Sequence, residues 1–81
     1  VNRARNLLYD SASYFVLESP GWGGIEVVDK QRRRGAFLAG PLAAKFRSSI
    51  VRLAAHRDGR VAMDKFLRRH AGLYTNPLVL H

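Results

Sequence analysis

Cysteine is absent from the 81 residues, which excludes disulfide bonds, a thiolate metal site and a cysteine nucleophile. A chain without cysteine suits a reducing compartment, and the expected location is the cytoplasm. Acid is scarce. The six Asp and Glu residues form no obvious acid/base couple of the kind proton-transfer chemistry needs. There is no Gly-x-Ser-x-Gly nucleophile elbow and no Walker-type Lys-Ser/Thr after a glycine loop. Long apolar runs are missing too: nothing approaches the ~20 consecutive apolar residues of a membrane span. The first ten residues, VNRARNLLYD, hold no apolar stretch long enough for a signal peptide. Together these absences predict a non-enzymatic protein with no cofactor, no membrane association and no small-molecule substrate.

Two partial motifs fail on inspection. Gly21-Trp22-Gly23-Gly24 superficially looks like a phosphate loop. The dinucleotide fingerprint, however, needs a further glycine where Glu26 stands, and a helix where a strand is predicted. Trp22 at this glycine-rich tip either folds back over the hairpin, or stacks on a base or anchors a partner. The three histidines, His56, His70 and His81, fall on two different helices and at the terminus. A catalytic zinc site needs about three ligands brought together, so no metal is expected.

What the chain has is base. Fourteen Lys and Arg against six acids give a net charge of +8, and most of the bases are arginine, whose guanidinium forks onto phosphate. Net charge of this size also serves solubility alone. Hydrophobic residues at 47% and charged residues at 25% describe an ordinary globular composition. One domain over residues 1–81 is expected, with no linker. A chain this short buries only about 60% of its unfolded surface, and self-association is a common remedy.

The predicted fold class is α+β: a small N-terminal antiparallel meander of two to three strands packed against two C-terminal helices. Tyr14-Phe15-Val16-Leu17 is β-branched and aromatic and reads as a strand. The turn at Pro20 to Gly24 leads to a second strand, Ile25-Glu26-Val27-Val28, antiparallel because the connection is too short for a crossover. Asp29 to Arg32 reads as polar turn, and Arg34 to Leu38 returns as a short third strand. Leu7, Leu8 and Tyr9 either start a strand or cover the core.

Pro41 fits the first position of a helix that ends at Asp58-Gly59. On it Leu42, Phe46, Ile50 and Leu53 share a core face, while Lys45, Arg52 and His56 line another. Val61 to Ala71 reads as a second helix, with Met63, Phe66, Leu67 and His70 inward. Asp64, Lys65, Arg68 and Arg69 point outward, and Gly72 serves as its stop.

Three segments carry a resemblance. They are Gly24-Ile25-Glu26-Val27-Val28-Asp29-Lys30; Phe37-Leu38-Ala39-Gly40 with Leu42-Ala43 and Phe46; and Phe66-Leu67 with Ala71-Gly72-Leu73 and Pro77-Leu78-Val79-Leu80-His81. Over residues 7–81 the chain resembles the uncharacterised bacterial family known as domain of unknown function three-five-six-seven. The resemblance implies a compact cytoplasmic α+β domain and brings no catalytic or binding residues.

Two functional expectations follow from the residues. The first is a small interaction module, self-associating or binding another protein through Trp22, the small-residue strip Ala44, Val51 and Ala55, and the apolar tail at Leu78 and Leu80. The alternative is a nucleic-acid accessory protein. Its phosphate contacts would come from the basic turn Arg32, Arg33 and Arg34, extended by Lys45, Arg47 and Arg52.

Overall fold

The computed structural model of the chain describes residues 6–19 and 23–77. In chain order these form strands β1 (Asn6–Asp10), β2 (Tyr14–Ser19), β3 (Gly24–Asp29) and β4 (Arg34–Leu38). Helices α1 (Gly40–Ala54) and α2 (Gly59–Arg69), a single 3-10 turn (Ala71–Leu73) and the two-residue strand β5 (Asn76–Pro77) follow. The five strands lie in one antiparallel sheet in sequence order. The α+β class stands, but the sheet has five strands rather than two or three. β1 lacks clear alternation because a bulge between Leu7 and Tyr9 shifts its register, which hides the period of two. β5 is too short to leave any pattern.

The register sorts the side chains of the sheet. Val16, Val27 and Ala36 stand in one row, and Ile25 pairs with Leu38; this face carries the helices. On it the fully buried side chains of Val16, Ile25 and Val27 meet Phe46 of α1 and Met63 and Leu67 of α2. Each such burial stabilises by roughly 1.5–3 kcal/mol. Phe46 stacks edge-on against Phe66 and His70, each with ring centroids 5.0 Å away.

Gly40 sets the entry to α1 with φ +63°, a conformation that glycine adopts without steric cost, and Pro41 follows where its missing N–H is harmless. The core face of α1 is rotated from the expected one. Ala43 and Ser49 are buried with Phe46 and Ile50 and Leu53 is half-buried, whereas Leu42 is 39% exposed. Both helices are also shorter at their C-terminal ends than their apolar pattern implied. α2 stops at Arg69 and is capped at His70, not Gly72, because the chain tightens there into the 3-10 turn.

That turn delivers Tyr74 beneath the helices. Its ring is buried and sits edge-on to Tyr14, with centroids 6.3 Å apart, and its hydroxyl donates to the Leu67 carbonyl at 2.8 Å. Burial holds this hydroxyl well above tyrosine's ordinary value of 10.

Asp64, expected on the outer face of α2, is instead half-buried. It accepts from Tyr9 at 2.8 Å and from Ser11 at 2.9 Å, tying α2 to β1 and to the β1–β2 turn. Burial first, and then donation to Asp64, raise the Tyr9 hydroxyl above its ordinary value.

Candidate interaction surfaces

The turn between β3 and β4 spans Lys30 to Arg33, closed by the Asp29–Arg34 pair. Buried Asp29 caps it, accepting from the backbone N–H groups of Gln31 and Arg32 at 3.2 and 3.1 Å. Arg33 takes a left-handed conformation, φ 56°, which is uncommon outside glycine, asparagine and aspartate. Arg32, Arg33 and Arg34 are all exposed; Arg32 lies 4.0 Å from Asp29, at the outer limit of an ion pair. Burial raises the Tyr14 hydroxyl, helped by Asp29, while Arg68 and Arg32 pull it the other way.

Arg47 does not join that turn. Its guanidinium is paired with Glu18 and donates to the Gly23 carbonyl at 2.9 Å, at the β2–β3 hairpin. The hairpin and the basic turn occupy opposite ends of six-residue β3, some ~17 Å apart at ~3.3 Å per residue. The six bases named from the sequence thus do not converge on one spot. Lys45 and Arg52 converge elsewhere, with partners the sequence reading left separate: Lys65 and Arg69 of α2.

The seam between the two helices is a shallow groove. One stretch is lined by Leu42, Lys45, Arg69, His70 and Leu73, and the next by Arg52, Leu53, Lys65, Phe66 and Arg69. Arg69 belongs to both, so the two lie side by side along the seam. All four bases are exposed, and among the described residues none is paired with a carboxylate. Arg52 makes one contact, to the Ser49 hydroxyl at 3.4 Å. The i, i+4 spacing of Lys65 and Arg69 was visible in the sequence; that it would face Lys45 and Arg52 required the helix packing.

The small-residue strip is solvent-facing, with Ala44, Val51 and Ala55 all exposed and Val51 at 67%. Trp22, Leu78 and Leu80, the other proposed partner contacts, lie outside the described residues. His56 is exposed, and the Nδ1 of half-buried His70 lies 2.9 Å from the Phe66 carbonyl.

A second surface was not anticipated. The helices cover one face of the sheet; on the other, the register aligns Leu7, Leu17, Glu26 and Phe37 in one row and Phe15, Val28 and Gly35 in the next. Leu7 is 55% and Phe37 44% exposed, while Phe15, Leu17 and Val28 are half-buried. The Phe37 ring lies over Gly24, so that a Cβ there would meet it at 2.3 Å. Lys30 sits 5.8 Å from the Phe15 ring at the rim. Alternation of apolar residues on both faces of β2 and β3 carried this signal, since a strand with one solvated face would be polar at every second position.

An antiparallel sheet carrying a helix pair on one face, with an apolar opposite face and a basic helix seam, defines a small α+β protein whose distinctive features are surfaces. The chain belongs to the family described as "Protein of unknown function (DUF3567)", which matches residues 5–81. It is 36% identical over 83 aligned positions to an uncharacterised protein of Burkholderia thailandensis, covering 93% of this chain and 98% of that one. No solved structure matches it. Among the described residues no helix is long and apolar enough to cross a membrane.

Proposed function

We propose that the protein is a non-catalytic cytoplasmic interaction module that self-associates through the open face of its sheet. The observation that carries this is the apolar row structure of that face: Leu7, Phe15, Leu17 and Val28 on one side of a sheet whose two helices, among the described residues, lie on the other. The cytoplasmic setting rests on the cysteine-free composition.

Charge selects a second copy of the chain as the occupant, and selects this face over the α1 strip. α1 and α2 together carry seven bases and one acid, whereas β1 to β4 carry four acids and one base. Docking through Ala44, Val51 and Ala55 would bring Lys45, Arg47 and Arg52 of two copies together, at a repulsive cost. Sheet-to-sheet docking sets the two basic layers on opposite outsides. A two-fold axis through the Phe15–Val28 pair opposes apolar side chains and leaves Glu26 about one row, ~7 Å, away.

Size sets the strength. The four longer strands, about 4.8 Å apart and ~17 Å long, cover roughly 330 Å² per copy, about two-fifths of the ~800 Å² per partner of a standard interface. The association is therefore weak and concentration-dependent. Sedimentation equilibrium from about 5 to 500 µM should show monomer giving way to dimer. Val28→Arg should hold the chain monomeric with unchanged circular dichroism, and Val51→Arg should not. A wild type that stays monomeric at about 500 µM overturns the proposal, as does dissociation by Val51→Arg in place of Val28→Arg.

A further inference from the structure

The open sheet face leaves the helix layer unexplained. Outside the seam three bases are paired, Lys30 with Asp10 at 2.6 Å, Arg32 with Asp29 and Arg47 with Glu18. Exposed Arg33, Arg34, Arg57, Arg60 and Arg68 have no carboxylate partner among the described residues; what sets the seam apart is that its bases share one groove. Along the α1–α2 seam four bases stand on both banks of one groove with no carboxylate paired to any of them among the described residues. Four like charges around one depression give it a positive potential that attracts an external counter-charge.

We propose that this seam binds the phosphate backbone of a nucleic acid, with Lys45 and Arg52 on one bank and Lys65 and Arg69 on the other. Lys45 and Arg52 are seven residues apart on one helical face, ~10.5 Å at 1.5 Å per residue. That span matches about three steps of a strand that carries a charge every ~3.4 Å. Lys65 and Arg69, one turn apart, contact the same run from the other side. The floor between the two banks is half-buried, formed by Leu53, Ala62 and Phe66 together with His70.

Three features favour a nucleic acid over an acidic peptide or a lipid surface. The seam has no deep apolar pocket that would seat a peptide side chain, which is where affinity for peptides concentrates. Its crests, Ala44, Ser48 and Val51 on α1, Ala55 just beyond it and Val61 on α2, are exposed and carry no aromatic residue, and the exposed leucines beside them are two, Leu42 and Leu73, fewer than the apolar face of a bilayer-interface helix presents. Bases on both helices along two adjacent depressions fit a rod of regularly spaced charge. The reading uses none of the residues on the open sheet face and stands independently of self-association. It also departs from the basic turn: Arg32, Arg33 and Arg34 sit at the end of the sheet and line neither stretch of the seam.

The test is fluorescence anisotropy with a labelled duplex of about 20 base pairs and the matching single strand, titrated between about 50 and 200 mM salt. Four phosphate contacts give a log–log salt slope near −3.6 on the duplex. Replacing any one of Lys45, Arg52, Lys65 or Arg69 by alanine should flatten the slope by about 0.9 and weaken binding about eightfold at 0.1 M salt. All four positions are exposed, so these variants should fold, and circular dichroism checks it. The triple variant Arg32→Ala, Arg33→Ala, Arg34→Ala removes three times the charge of any single seam variant and should still keep the slope. Absence of binding to either probe at about 50 mM salt overturns the proposal. So does equal loss from the turn variant, which would make the effect one of net charge. Competition by polyglutamate or by phosphatidylserine vesicles as effective as unlabelled duplex would assign the seam to a different partner class and overturn it as well.

Discussion

Tyr74→Phe removes one hydroxyl and probes how the chain closes over its core. The hydroxyl donates to the Leu67 carbonyl at 2.8 Å in a buried setting. That carbonyl also accepts from the His70 N–H at 3.2 Å, so deletion leaves no buried acceptor unsatisfied. The cost at neutral pH is therefore that of one ordinary hydrogen bond, about 1 kcal/mol. Above pH 10 the balance changes. Burial raises the folded-state value of Tyr74 well above its ordinary 10, so the unfolded chain ionises first and releases its proton while the folded chain retains it. Stability from this group is fully present below pH ~10 and is lost as pH rises above it, by about 1.4 kcal/mol at pH ~11.

The phenylalanine variant has no such loss. The gap between the two proteins should then shrink from about 1 kcal/mol at pH ~8 to near zero at pH ~11. Lysine titration over the same range affects both proteins equally and cancels from the difference. Urea unfolding followed by circular dichroism at a series of pH values measures it. A gap that stays constant across that range would mean that Tyr74 ionises alike in both states, which would refute its burial beneath α2.

Two further perturbations address the same framework. Asp64→Ala removes the acceptor for Tyr9 and Ser11 while Tyr9 keeps the Arg60 carbonyl at 3.1 Å. The loss should be ~1.5–3 kcal/mol, and the Tyr9 hydroxyl should titrate closer to its ordinary value in ultraviolet absorbance; an unmoved Tyr9 titration would count against the Asp64 contact. Phe46→Ala empties the centre of the Phe46, Phe66 and His70 cluster and should cost ~3–5 kcal/mol. A chain of this length has a total stability of about 4–12 kcal/mol, so the urea midpoint should fall by a large fraction or the fold should be lost. A midpoint shift of under ~1 kcal/mol would place Phe46 outside the core.

What the sequence made legible was whatever repeats at a fixed period. β2, β3 and β4 were placed within a residue or two because aromatic and β-branched residues run together between turn signals. The two helices were found because Phe46 and Ile50, and Met63 and Leu67, recur at helical spacing. Where the period breaks, legibility ended. The bulge at Leu7/Tyr9 in β1 scrambles alternation, β5 is two residues long, and the switch from α2 to a 3-10 turn moved the helix stop from Gly72 to His70.

The basic surface was half legible for a different reason. Wheel positions correctly set Lys45 and Arg52 apart from the core, but which face of α2 they would meet depends on a crossing angle that Asp58-Gly59-Arg60 does not encode. Asp64 was misplaced because a polar residue at a flanking position reads as solvated. Its partners, Tyr9 and Ser11, lie more than fifty residues away in the sequence.

The segregation of charge bears on how the two proposed surfaces combine. Net charge of +8 spread evenly over a molecule 35 × 27 × 25 Å would oppose any contact between copies. Concentrating base on the helices and acid on the strands makes the sheet the one direction along which two copies meet cheaply. In that arrangement the two helix seams face outward, separated by two sheets ~10 Å apart and by a helix layer ~10 Å thick on each outside, roughly 40 Å in all. With a Debye length of about 8 Å at physiological ionic strength, neither seam senses the charge of the other. Polyanion binding at one seam therefore neither drives nor opposes self-association, and two seams on opposite outsides cannot grip one short duplex together. A dimer built this way gains no avidity on a single strand or short duplex; what it gains is the capacity to hold two separate segments at once.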